Sequence, residues 1–370
     1  MNKTVLVSLI SEQTIPNVLF IKQFGVVDKY IFITTERMEN EDNGNRREWI
    51  LRACNIDDKK QQKIEVNAED KIDVEEKLSK VDFSGFERII VNITGGTKMM
   101  SIAAYEFFNK NYPDAELWYK PIDKKDEFHI CNNPNKTLKI NYNLTVKEYL
   151  EACGIFEDRY TFKKPVFDES YCLNFYQSYN TNSKIRELTE KIRNTFRAND
   201  APFSKKMKNE KEIDLSADVE LLEIKTELNS IDFPLDKDTF LLKNKMEFLT
   251  GGWFEEYVYY KVKKENNLSE NSISLGVKLD PKSNDKERLK YFANNDLDVV
   301  YVKNNEFYVI ECKTNIKDKG LFTETVYKMA ALRKYFGLSV KSILATLTEL
   351  DENQKEKASV FQIQILNKFD

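Results

Sequence analysis

The stretch Asp296-Leu297-Asp298-Val299-Val300-Tyr301-Val302-Lys303-Asn304-Asn305-Glu306-Phe307-Tyr308-Val309-Ile310-Glu311-Cys312-Lys313 leaves little choice of local fold. Two runs of β-branched and aromatic residues flank Asn304-Asn305, a pair that tolerates the positive φ of a two-residue hairpin turn. Pairing Lys303 with Glu306 across that turn sets the register, and Asp298 then stands opposite Glu311. Directly opposed residues have Cβ atoms roughly 4.5–5.5 Å apart, and two like charges there are destabilising unless something positive lies between them. A divalent cation meets that need. Alternation by two places Lys313 on the same side as both carboxylates. The plain alternative is an edge hairpin with solvated charges. However, Val299, Val300, Val302, Val309 and Ile310 give both strands apolar faces, so the acids are expected to be buried, where they need partners. Hard oxygen ligands suit Mg²⁺ or Mn²⁺, and a neighbouring ammonium can orient water or offset charge on phosphorus. The chemistry indicated is metal-assisted phosphodiester hydrolysis.

About forty residues upstream, Gly251-Gly252-Trp253-Phe254-Glu255-Glu256-Tyr257-Val258 reads as the start of a helix. Its glutamates fall in the first turn, where the helix dipole favours them, and one of them can also complete a metal shell.

These residues together resemble the restriction-endonuclease-like nuclease core: Gly251-x-Trp253-Phe254-Glu255, then Asn295-x-x-Asp298, then Glu311-x-Lys313. The resemblance implies that Asp298 and Glu311, with the Cys312 backbone carbonyl, hold the metal, that Lys313 positions the water, and that Glu255 is the helix carboxylate of the shell. Leu297 stands where many members have proline. Cys312 fills the variable position, its side chain on the opposite face.

The remainder of the chain is expected to hold a second domain, since 370 residues suffice for two cores. Lys and Arg number 57 against 61 Asp and Glu, so no overall basic field attracts nucleic acid and any such binding must be local. Five scattered cysteines and a single histidine disfavour a zinc site and a histidine-dependent hydrolase. They are expected of a reduced cytoplasmic compartment. No secretory leader or membrane span is read in the sequence.

The N-terminal third alternates strand and helix: Thr4–Ile10, a helix through Phe24, Lys29–Thr34, a helix over Arg46–Cys54, Lys63–Val66, a helix over Val74–Val81, Arg88–Asn92, a helix through Phe108, and Glu116–Tyr119. That order predicts a doubly wound parallel sheet whose ligands sit beyond the carboxyl ends of the strands. Two loops lie there, Ser11–Asn17 and Asn92-Ile93-Thr94-Gly95-Gly96-Thr97-Lys98-Met99-Met100. The second reads either as a glycine turn before a helix or as a phosphate cradle of backbone N–H groups, hydroxyls and a lysine. It lacks P-loop spacing.

Ser11-Glu12-Gln13-Thr14 after the first strand and Asn92-x-Thr94-Gly95-Gly96-Thr97-Lys98-Met99-Met100 after the fourth resemble the CARF domain, the Rossmann-like sensor of cyclic oligoadenylates in CRISPR systems. The resemblance implies a pocket lined by Ser11, Gln13, Thr14, Thr94, Gly95, Gly96, Thr97 and Lys98, with Arg37 and Trp118 placed there by their strand ends. It also implies a homodimer sharing one cyclic ligand across a two-fold axis.

The whole chain is thus similar to the Card/Can type of CRISPR ancillary nuclease. The expected fold is α/β: a Rossmann-like CARF domain over 1–143, a connection over 144–180, and an α/β restriction-endonuclease-like domain with a mixed sheet over 181–370. Further readings are a hairpin over 127–142, a charged helix over Asn182–Phe196, and a helix over Thr323–Phe336 that ends at Gly337 and carries Lys328 and Arg333, which can hold substrate phosphate. Phe203–Lys211 is either a solvated loop or part of a substrate track. The expected activity is cleavage of single-stranded DNA or RNA, or nicking of duplex DNA, switched on by a cyclic oligoadenylate, with cyclic tetra-adenylate preferred. A CARF-fused regulator that binds without cutting and a ring nuclease that degrades its own ligand are the rivals.

Overall fold

Continuous apolar runs of the N-terminal third become strands covered on both faces, as parallel sheets require. The protein is seen here as a computed structural model, which describes residues 3–40, 45–124, 126–131, 133–197, 203, 210–279, 296–332, 336–337 and 340–369. Its first sheet joins β1 (Thr4–Leu9), β2 (Lys29–Thr34), β3 (Gln61–Glu65), β4 (Arg88–Asn92), β5 (Glu116–Tyr119), β6 (Glu127–Ile130) and β7 (Asn133–Lys139) in the order β3-β2-β1-β4-β5-β6-β7. The first five run parallel, and the expected hairpin adds β6 and β7 antiparallel at one edge.

Helices α1 (Ile15–Phe24), α2 (Glu36–Glu39), α3 (Arg46–Cys54), α4 (Lys71–Ser79), α5 (Lys98–Asn111) and α6 (Val146–Ala152) connect and follow these strands. Val74 and Leu78 of α4 and Met100, Ala103, Phe107 and Phe108 of α5 close one face of the sheet. The other face receives α1, α3 and α6.

The second sheet is mixed and has the order β15-β14-β13-β12-β11-β8, built from β8 (Tyr160–Lys163), β11 (Ile273–Leu279), β12 (Asp296–Lys303), β13 (Glu306–Lys313), β14 (Lys341–Thr346) and β15 (Ile363–Leu366). A separate small ribbon pairs β9 (Glu212–Asp214) with β10 (Phe240–Leu242). Helices α7 (Glu169–Thr181), α8 (Ser183–Phe196), α9 (Val219–Ser230), α10 (Lys243–Glu247) and α11 (Trp253–Glu265) share a core with Val299, Tyr301, Ile310 and Cys312, the side chains of one face. On the other face, α12 (Lys319–Ala331) and α13 (Glu352–Val360) cover Leu344 and Ile363. Both expected α/β architectures are present.

The connection, 144–180, reads in sequence as a helix over Leu144–Gly154 followed by irregular or strand structure over Asp158–Cys172. It supplies α6, the edge strand β8 and most of α7. Thr145 and Glu148 form a capping box that starts α6. Val300, Val302, Phe307 and Val309 from the second sheet lie in the same apolar cluster as Leu150 and Tyr149 of α6 and Phe20 of α1. Tyr149 stacks on Phe307 with ring centroids 4.7 Å apart. The two sheets are therefore joined through a continuous core, with α6 between them.

Glu256 ties α7 to α11: its buried carboxylate accepts from the backbone N–H of Val166 (2.9 Å) and Phe167 (3.2 Å) and from the Cys172 thiol (3.6 Å). Burial outweighs these donors and pushes the carboxyl up to about 7. A raised folded-state value means that the folded protein holds the proton more tightly. The stability gained is fully present below the ordinary glutamate range and is lost as pH rises through about 7. The melting temperature of the wild type is expected to fall between pH 5 and 8 (roughly the window of the shift) relative to a Glu256→Gln variant, whose profile should be flatter. Parallel profiles would contradict this assignment.

Candidate active site and sensor cavity

The hairpin turns as its asparagines predict: Asn304 and Asn305 have φ of 52° and 60°. Lys303 pairs with Glu306 and Val299 with Ile310, the expected register. Asp298 and Glu311 are 8% and 5% exposed. One Asp298 oxygen accepts the Cys312 backbone N–H at 2.7 Å. Lys313 Nζ stands 2.6 Å from Glu311 and 4.0 Å from Asp298.

Lys328, reached only through the sequence of a helix, proves to be a central member of the site. From α12 its ammonium contacts both Glu311 oxygens, at 3.2 and 3.0 Å. Burial opposes a charge on Glu311, but Lys313 and Lys328 outweigh it and hold this carboxyl below its ordinary value. Asp298 moves the other way, pushed well up by burial and by the charges of Glu311 and Glu255. Burial works against the Lys313 ammonium, yet Glu311 and Asp298 keep it firmly protonated.

Glu255 does not join the hairpin pair. It sits on α11, near enough for its charge to reach Asp298, but its ion pair is with Lys163 at 3.7 Å. Among the described residues no group of three or more His, Cys, Asp or Glu is gathered closely enough to hold a metal ion. The three-carboxylate shell is corrected to two carboxylates plus the Cys312 carbonyl, which lies 3.4 Å from Lys313 Nζ. That smaller set still suits a hard divalent cation: its donors are all oxygens, and Asp298 is a buried acid with too little positive charge of its own. Arg333 and Asn295 lie outside the described residues, as does most of 203–211.

At the carboxyl ends of β1, β2 and β4 a cavity of about 820 Å³ opens, lined by Ser11, Arg37, Gly96 and Thr97 among the expected residues. Glu12, Thr35, Glu65 and Asn67 line it too, and the sequence reading passed over all four. Arg37 is exposed and paired with Glu12. Thr97 caps α5 by accepting from Met100 N, and it donates to Ala68 O. Gly95 lies so close to β1 that a Cβ would meet Leu9 O at 2.3 Å, and Gly96 takes φ of 77°. Glycine is required at both positions for different reasons.

The other expected pocket residues do different work. Thr14 is buried, its hydroxyl donating to Ala152 O at the end of α6. Trp118 is 3% exposed, and its ring packs 5.8 Å from Phe24 in the core below the cavity. These two are corrected to structural roles. Thr94 donates to Asn92 Oδ1 and accepts from Lys120 N, which shapes the loop. Lys98 is exposed at the first turn of α5 and does not line the cavity. Gln13 abuts Gly337, whose Cβ, if added, would lie 2.8 Å from Gln13 Oε1.

Comparison with known proteins bears directly on this pairing of a cavity with a lysine-flanked carboxylate pair. Residues 5–149 match the family model of the Card1 CARF domain, and residues 242–368 match the Card1-like endonuclease domain. The chain joins a CARF domain of the Card1 type to a Card1-like endonuclease domain. Among solved structures, this CARF–nuclease chain is similar to Can2 from Sulfobacillus thermosulfidooxidans in complex with cyclic tetra-adenylate, with 21% identity, 98% of this chain and 95% of that chain covered, and a TM-score of 0.69. It is also similar to protein VC1899 from Vibrio cholerae, at 17% identity, 98% and 93% coverage and a TM-score of 0.72. At these identities the likenesses show a shared two-domain fold. No curated protein matches the chain. No helix among the described residues is long and apolar enough to cross a membrane.

Proposed function

We propose that this chain is a metal-dependent endonuclease switched on by a cyclic oligoadenylate, cyclic tetra-adenylate being the first choice because Can2 is seen with it. The observation that carries the reading is the buried Asp298–Glu311 pair with two ammonium groups on one of its members. Such a pair has no structural economy of its own, because a salt-bridged apolar core is no more stable than an apolar one.

Asp298, Glu311 and the Cys312 carbonyl would hold Mn²⁺ or Mg²⁺, which when bound supplies a nucleophilic hydroxide and polarises the phosphoryl group. The chain's own residues do the rest. Lys313 keeps its proton, so it orients the attacking water and offsets charge on the phosphoryl oxygens. Lys328 keeps Glu311 ionised and fixed. Water oxygen attacks phosphorus and gives up a proton to solvent, the bond to the ribose or deoxyribose oxygen breaks, and that leaving oxygen takes a proton from solvent. Either nucleic acid backbone fits, and single strands are the first choice because the chain has no net positive charge to grip a duplex.

The sensor cavity is lined by four glutamates, Glu12, Glu36, Glu65 and Glu69, together with Arg37 and Lys77. Acidic groups accept from adenine amines, which leaves the phosphates to backbone N–H groups at the start of α5. A two-fold homodimer would present two such cavities to one ring. The setting is antiviral defence of the CRISPR type, within the cytoplasm.

Two results test this. Cutting of a single-stranded oligonucleotide with Mn²⁺ should require the cyclic ligand, whereas ligand-bound protein that shifts DNA without cutting supports a regulator, and loss of labelled ring alone supports a ring nuclease. Thr97→Ala is expected to weaken ligand binding about tenfold by calorimetry, with roughly 1 kcal/mol of stability lost from the cap, while Lys98→Ala leaves affinity within about twofold. Equal losses from both would show that Lys98 reaches the ligand.

A further inference from the structure

Lys163 lies in neither matched segment, and its sequence surroundings gave no hint of a role. It ends β8, the outermost strand of the nuclease sheet, and pairs with Leu275 of β11. Between Leu275 and Val277 the register slips, and the residue passed over is Gly276, with φ of +54°. The aliphatic stem of Lys163 lies directly over this glycine: a Cβ there would come within 2.3 Å of Lys163 Cδ and 2.6 Å of its Cγ. A bulge of this kind bends the strand and re-aims a neighbouring side chain. Here it sends the ammonium inward to 3.7 Å from Glu255 and 3.7 Å from Asp296, two residues before Asp298.

The three lysines of the site are not equally engaged. Lys313 and Lys328 are hydrogen-bonded to Glu311 at 2.6 and 3.0 Å. Among the described residues Lys163 makes ion pairs only, too long for a hydrogen bond, and its side chain is 41% exposed. It keeps its protons to offer at the open edge of the sheet, beside the reacting carboxylates.

We propose that Lys163 is a substrate-contacting residue, which receives a phosphate of the nucleic-acid strand next to the scissile one and is aimed there by the Gly276 bulge. The proposal rests on the nuclease reading above. An ammonium binds phosphate as a point charge, so its loss costs ground-state binding and one counterion's worth of salt dependence.

The test uses the full chain with cyclic tetra-adenylate, Mn²⁺ and a fluorescein-labelled single-stranded oligonucleotide. Lys163→Met is expected to raise KM about tenfold with kcat within about threefold, and to make the slope of log affinity against log salt shallower by about 0.7. Lys163→Arg should restore most of the affinity. Gly276→Ala should reproduce the Lys163→Met defect, with thermal melting as a check on folding. The same salt series by fluorescence anisotropy in a Glu311→Gln background reads binding without cleavage. If the wild type cuts nothing but binding still depends on Lys163, the nuclease reading fails and the phosphate contact stands. Unchanged KM and salt slope overturn the contact. So does a fall in kcat alone, which would make Lys163 a positioning residue for Glu255. Absence of binding in every variant overturns it together with the nuclease reading.

Discussion

Glu311→Gln is expected to lower cleavage by at least roughly 10³-fold while leaving affinity for the cyclic ligand within about twofold. The substitution keeps the shape of the side chain and removes the charge around which the site is built. Lys313 at 2.6 Å and Lys328 at 3.0 Å both lose their counter-ion, and the two hairpin acids are reduced to one. The sensor cavity lies on the other sheet, beyond α6, and touches none of these groups. Single-turnover cleavage and calorimetry on the same preparation check the two halves of the statement. Because unpaired buried ammoniums also destabilise, the melting temperature is read alongside. Retention of more than a few per cent of activity by a folded variant would mean that another carboxylate carries the reaction.

Tyr149→Ala is expected to remove about 3–5 kcal/mol of stability, the usual range for deleting a large buried aromatic side chain, and to uncouple what remains of cleavage from the ligand. Tyr149 is fully buried. Its ring stacks on Phe307 of the hairpin, and its hydroxyl donates to Phe336 O at 3.1 Å. Around it α6 is fastened to both domains. Thr14, beside the cavity, donates to Ala152 O. Lys22 of α1 holds Glu148 at 2.6 Å. At the hairpin turn, Asn305 accepts from Leu144 N and donates to Tyr142 O, both at 2.8 Å. A ligand that bound two arrangements of this helix unequally would shift the hairpin with it, and a change from 1:99 to 99:1 would need about 5.5 kcal/mol of differential affinity. Chemical denaturation measures the first effect, and the ratio of cleavage with and without ligand measures the second. Tyr149→Phe keeps the stack and should cost only about 1 kcal/mol. A Tyr149→Ala variant with wild-type activation would remove α6 from the coupling route.

What could be read from the chain in advance was whatever local chemistry decides. Two adjacent asparagines can take positive φ, so turn, register and the meeting of Asp298 with Glu311 followed from one dipeptide. Gly95 and Gly96 announced a glycine loop before a helix, while its pressing against β1 came only with the fold. Side chains whose direction is set by distant elements were not readable in this way. Trp118 was assigned by its strand end, but the face it occupies is filled by Phe24 of α1. Glu255 was assigned by its motif, but its ion pair is with Lys163 of the edge strand, a partner no local pattern announces. Lys328 was one charge among several on a helix until α12 was seen to lie over Glu311. Lys163 required an edge strand in a stretch with little periodicity. Its one signal was an isolated glycine, Gly276, inside the strand-like stretch Ile273–Leu279, and a lone glycine in a strand is the mark of a bulge.

The most direct test is manganese anomalous scattering from crystals of the wild type and of Asp298→Asn. The account predicts a peak in the wild type in contact with both Asp298 and Glu311 and next to the Cys312 carbonyl, lost or much weakened in the variant. A wild-type crystal soaked in manganese in which Glu311 still holds Lys313 and Lys328, with no peak touching both acids, would contradict it.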